Sequence, residues 1–159
     1  MTPQAWIAGI VGVAAVADDL WRRQISNWIS CSAFAAGMAL QIAEHGGRGA
    51  LTALAGSAAG AGVFLVFYLL GGMGGGDVKL MAGFGAVLGV TRLLEAALWT
   101  AGCGGLMALA VLTFRALRQV WLRRTADPAS AALSGRAADS IPYAPAIAAG
   151  VWLSLVPKT

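Results

Sequence analysis

A chain of 159 residues that is 58% apolar and only 11% charged, with a mean hydropathy of +0.74, carries more apolar side chain than one water-soluble core can absorb. The net charge of +4 does not mark a nucleic-acid binder, because the basic residues lack aromatic interleaving and do not share one face. The 22 glycines have no three-residue period, which excludes collagen, and they fit membrane helices that pack closely through small residues.

A spanning helix needs roughly 20 apolar residues, so a chain of this length holds about six spans and no separate soluble domain. The expected fold is all-α, one polytopic bundle of about six transmembrane helices over residues 1–159. The first run, Gln4 to Leu20, contains the apolar stretch Ala5 to Ala17, which has no basic residue before it and no small-residue cleavage site, and therefore reads as a retained span. Asn27 to Ala43 follows, with Asn27 placed to cap it; Glu44 and His45 then read as an outer loop. The third run, Gly49 to Leu70, carries Gly56-Ser57-Ala58-Ala59-Gly60, a GxxxG spacing suited to packing. Next comes Gly71-Gly72-Met73-Gly74-Gly75-Gly76, whose five glycines predict an irregular loop or hinge.

The fourth run, Val78 to Val90, is short and can lie inside the bundle. The fifth runs from Leu93 to Phe114, and Arg115 to Ser140 reads as the one substantial loop, broken by Pro128 and Gly135. The sixth, Ile141 to Leu155, opens with Pro142 as a helix-initiating residue and Tyr143 as an interface anchor. Cys31 and Cys103 fall inside apolar runs without zinc-site or disulfide spacing and read as packed thiols.

With the N-terminus outside, the inner segments hold Arg22, Arg23, Lys79, Arg115, Arg118, Arg123, Arg124 and Arg136, against Arg48, Arg92 and Lys158 outside. The positive-inside rule then puts both termini outside, and Arg22 and Arg23 read as topology determinants. The arginines of the Arg115 to Ser140 loop suit a cytoplasmic, anionic lipid surface.

Acidic side chains number seven, and a carboxylate at a membrane helix end is costly enough to demand a reason. Glu44, Asp127 and Asp139 lie in predicted loops, and Glu95 begins a helix after Arg92, so each reads as a solvated, capping or paired charge. Asp18, Asp19 and Asp77 remain. The assigned topology puts Asp18 and Asp19 at the end of the first helix and Asp77 at the start of the fourth, on one side of the membrane. A common depth is what a carboxylate pair needs to hydrolyse a peptide bond, one group ionised to activate water and one protonated to donate to the carbonyl. The glycine run before Asp77 suits the wall of a hydrated site, since non-helical backbone at membrane depth survives only against protein or a water-filled cavity.

Gly74-Gly75-Gly76-Asp77-Val78-Lys79-Leu80 resembles the GxGD-x-KL signature of the type IV prepilin peptidase family. Asp19-Leu20-Trp21-Arg22-Arg23-Gln24-Ile25-Ser26-Asn27 resembles that family's earlier motif, an aspartate followed by a basic stretch and Ile-Pro-Asn, with Ser26 in place of proline. Ile141-Pro142-Tyr143-Ala144-Pro145 is similar to its last-helix signature. The resemblance implies a membrane aspartic endopeptidase with Asp19 and Asp77 as catalytic residues, and it selects Asp19 over Asp18. Gly74, Gly75, Gly76, Lys79 and Asn27 would then shape the site or bind substrate. The implied partners are a prepilin or pseudopilin substrate and the lipid bilayer, and the implied place is the bacterial inner membrane with the site facing the cytoplasm. The compact length most resembles members from tight-adherence, Flp-type pilus systems, and without the paired cysteines of the N-methylating half no methyl transfer is expected.

No cofactor or metal is expected, since a single histidine, His45, and two thiols embedded in apolar runs cannot assemble a metal site. Lys79 reads either as a snorkelling topology marker or as a group that orients Asp77 or an acidic substrate residue. From another class, a small transporter or channel subunit would also use intramembrane carboxylates and an unwound glycine segment, but it predicts an internal repeat that the two halves do not display. An assembly factor that binds pilin without cutting it is a third reading.

Overall fold

The apolar runs fold as helices whose ends are set by local chemistry. In the computed structural model, which describes residues 2–125 and 143–156, the described chain is all-α. Helix α1 (Pro3–Arg22) begins where the Thr2 hydroxyl accepts from the Ala5 amide, with Pro3 in the first turn, where a missing N–H is harmless. It stops at Arg23, whose left-handed φ of 52° turns its N–H back to the Asp19 carbonyl.

Helices α2 (Asn27–Leu69) and α3 (Gly75–Thr125) are each broken once by a glycine in the left-handed region, Gly46 at φ 60° and Gly89 at φ 69°. Both breaks reverse the chain. Along the first limb of α2, Ala33 and Gly37 advance against Gly83 and Val87 of α3, while along its second limb Gly56 and Gly60 run backwards against Gly85 and Met81. Past Gly89, Leu93 meets Gly60, so α3 has turned as well. At this second break the Gln41 side chain, buried within the bundle, donates to the Val87 carbonyl (3.2 Å) that the interrupted ladder leaves open.

Six helical segments result among the described residues, 3–22, 27–45, 47–69, 75–88, 90–125 and 144–154, the last being α4 (Ala144–Ser154). They follow the six predicted runs with four corrections. Glu44 and His45 belong to the helix and not to a loop, because the chain needs only Gly46 to turn. The fifth segment continues past Phe114 to Thr125, since residues 115–125 contain neither glycine nor proline. The glycine run is irregular only up to Gly74, and Gly75 and Gly76 form the first turn of α3. Cys31 is exposed and not packed, which an apolar outer surface permits. The expectations for Ile141, Pro142 and most of the loop after Thr125 lie outside the described residues; the proline in the first turn of α4 is Pro145.

The first limb of α3 is the centre of the bundle. Leu80, Met81, Phe84, Val87 and Leu88 are buried there with Ile147 and Val151 of α4. Its neighbours come close because they meet it with glycine: a Cβ on Gly56 would run into the Gly85 carbonyl and one on Gly60 into that of Met81. Lipid offers little hydrophobic drive for helix association, so close van der Waals approach of this kind holds such a bundle together. The outside is apolar instead, with Trp21 90% and Trp28 85% exposed and Leu70, Leu98 and Leu106 outward. Helices α2 and α3 are long and apolar enough to cross a membrane, and the most apolar stretch of each is largely left uncovered by the rest of the protein.

Candidate active site

Four helix ends converge at one end of the bundle. The ends of α1 and α2 and the starts of α2 and α3 lie opposite the Gly46 and Gly89 reversals, and the start of α4 joins them through the Ala144 amide, which donates to Asp19 Oδ2 (3.1 Å). Asp19 stands in the last turn of α1 and Asp77 in the first turn of α3. Each is only 7% exposed.

Asp77 holds its own helix start. Its Oδ2 accepts from the Gly74 amide (3.1 Å) while its amide donates to the Gly74 carbonyl (3.1 Å). This is the reach-back half of a capping box, with Gly74 at the cap and an acid three residues on. It explains how a helix begins on two glycines, and it fixes one carboxylate oxygen. Asp19 is held the same way by the first free amide of α4, a helix N-terminus that favours negative charge. Asp19 and Asp77 are thus two buried acids at one end of the bundle, each with one carboxylate oxygen accepting from a backbone N–H.

The other predicted site residues fall around this pair. Lys79 donates to Asn27 Oδ1 (3.0 Å), tying the start of α2 to α3. Asn27 is therefore the first helical residue and an acceptor for Lys79, not the predicted cap; the cap position belongs to Ser26, which makes no side-chain capping bond. Gly75 lies against the Tyr68 ring and Gly76 against Ile25, whose Cβ would be 3.2 Å from a Cβ placed there. Asp18 faces the turn after α1: its Oδ2 accepts from the Ser26 amide (2.7 Å) and its Oδ1 is 3.7 Å from Arg22 Nε. His45 pairs with Glu44 (4.0 Å), a full helix length from the acids.

Beside the pair lies an apolar cavity of about 280 Å³ between the second limbs of α2 and α3 and the start of α4. Gly72, Met73, Phe64, Thr100, Tyr143 and Ile147 are among its walls, so it adjoins both Gly74 and Ala144. Nothing in the sequence marks the amides of Gly74, Ala144 and Ser26 as contacts, because a backbone donor leaves no trace in residue type. Only the Ile-Pro-Tyr-Ala-Pro motif hinted that the start of the last helix mattered.

Residues 6–109 match the type IV leader peptidase family, a stretch that includes Asp19, Asn27, the glycine run, Asp77 and Lys79. No curated protein and no solved structure matches the chain. The match covers more than half of the 159 residues, and the chain belongs to the type IV leader peptidase family.

Proposed function

We propose that this protein is a membrane aspartic endopeptidase that removes the leader of prepilins or pseudopilins at the cytoplasmic membrane face, with Asp19 and Asp77 as its catalytic residues. Family membership supplies the coarser statement, a leader-peptidase type of protease in a membrane. The observation that carries the finer one is the convergence of two buried carboxylates from distant helices, each with one oxygen held by a backbone amide.

In this reading the six segments all span the bilayer as one domain, both termini lie outside, and the paired acids face the cytoplasm. The ionised carboxylate takes a proton from water as its oxygen attacks the scissile carbonyl carbon. The protonated partner gives its proton to the carbonyl oxygen. As the tetrahedral intermediate collapses and the C–N bond breaks, the carboxyl that took water's proton gives it to the departing amine, and its partner recovers a proton from a hydroxyl of the intermediate, which restores the pair. The apolar cavity beside Met73 and Tyr143 offers room for a hydrophobic side chain flanking the cut. Lys79 and Asn27 brace the starts of α2 and α3 against each other, and the glycines let α3 begin close to Ile25 and Tyr68.

Mass spectrometry of a Flp-type prepilin N-terminus, with and without this protein in the same membrane, tests the assignment. The expected product is pilin shortened by its leader; a full-length N-terminus in both samples would refute it.

A further inference from the structure

Asp18 takes no part in the pair, yet it makes the shortest of the carboxylate–amide bonds around it, 2.7 Å from the Ser26 N–H. That bond closes the turn from Arg23 to Ser26, which opens on the left-handed Arg23 at φ 52°, a conformation that a non-glycine residue keeps only when its surroundings hold it. This turn and the first residue of α2, which follows it, touch both flanks of Asp77. Ile25 packs on Gly76, one residue before it, and Asn27 takes the Lys79 ammonium, two residues after it. Asp18 is also the chain neighbour of Asp19. One carboxylate therefore links the helix that carries Asp19 to the turn that braces the helix carrying Asp77.

We propose that Asp18 is a positioning residue: by holding the Ser26 amide it locks the Arg23–Ser26 turn and so sets the start of α3, with Asp77, in register with Asp19. The inference rests on the peptidase reading above. It requires an acceptor at position 18 and not a charge, and it requires the Ser26 N–H only as long as nothing else stiffens the turn. Ser26 sits at φ −62° and ψ 134°, angles that proline adopts without strain. A proline there would lock the turn and remove the donor together.

Prepilin processing by purified Asp18→Asn, Asp18→Ala, Ser26→Pro and the Asp18→Ala/Ser26→Pro double variant tests this. Asparagine keeps an acceptor oxygen and should retain processing within about threefold of wild type. Alanine should lower kcat by about tenfold or more, with KM little changed, because the acids and not the substrate contacts are displaced. In the Ser26→Pro background the same alanine should cost less than about threefold. A second readout does not depend on activity. With Cys31→Ser and Cys103→Ser, the pair Ile25→Cys and Gly76→Cys lies within disulfide reach; its oxidation should slow in Asp18→Ala and recover with Ser26→Pro.

Asp18→Asn as inactive as Asp18→Ala would mean that the charge itself is needed, and would overturn the proposal. Equal loss from Asp18→Ala in both backgrounds, or no loss in either, would overturn it as well. Should wild-type protein cut no prepilin, the peptidase reading fails separately, and unchanged cross-linking in Asp18→Ala would still sink the clasp.

Discussion

Asp19 Oδ2 accepts from the amide of Ala144 at 3.1 Å, a bond that closes 125 residues of chain and seats the first turn of α4 on the end of α1. The donor belongs to a helix N-terminus, where amides lack intrahelical partners, so the carboxylate satisfies a group that would otherwise be orphaned. Replacing Ala144 by proline removes the donor, and its ring also crowds a fully buried position behind the α-region Tyr143, which adds to the loss. A hydrogen bond to a charged group contributes about 1.5–3 kcal/mol, so Ala144→Pro should lower processing by roughly 10- to 100-fold. Ala144→Gly keeps the amide and should stay close to wild type, and steady-state processing rates compare the two.

Gly56 and Gly85 approach so closely that a methyl group on either meets the other's carbonyl, backbone that cannot swing aside. Gly56→Ala should destabilise the protein by about 1–3 kcal/mol, the usual cost of overpacking. Gly62, on the same limb of α2, has open space where its Cβ would be. There alanine should be neutral, or stabilising by up to about 1 kcal/mol through helix propensity. Thermal unfolding in detergent micelles separates the two outcomes.

Gln41 supplies the partner for the Val87 carbonyl at the Gly89 reversal. Gln41→Leu fills much the same volume but leaves that carbonyl unpaired inside the bundle, at a cost of about 1–3 kcal/mol. Because the Gly89 bend lies at the opposite end from the acids, unfolding midpoints should fall while kcat per folded molecule is unchanged.

The helices were legible in the sequence because long apolar runs between charged or glycine-rich breaks favour helix, and the six runs recur as six helical segments among the described residues, four of them in the two helices, α2 and α3, that are long and apolar enough to cross a membrane. Asp19 and Asp77 stood out because acids are rare in such a chain, and the structure puts them at one end of the bundle. What stayed hidden were contacts that residue type does not encode. The Gly74 and Ala144 amides are backbone groups, and neither reading of Lys79, a snorkelling topology marker or a group orienting Asp77 or an acidic substrate residue, includes its contact with Asn27. Residues two apart on a helix do not share a face, so Lys79 reaches Asn27 instead. Helix α3 runs past Arg115 to Thr125 because the breakers of the predicted loop, Pro128 and Gly135, come only later, and arginine is a good helix former.

The most direct test of the Asp19/Asp77 pair is single-turnover processing of a prepilin by wild-type protein, Asp19→Asn, Asp77→Asn and the double variant, each checked for folding. Groups that act as one unit fail together, so each single substitution should lower the rate by about a thousandfold or more and the double variant should be no worse. Processing at near wild-type rate by either single variant would contradict the pair.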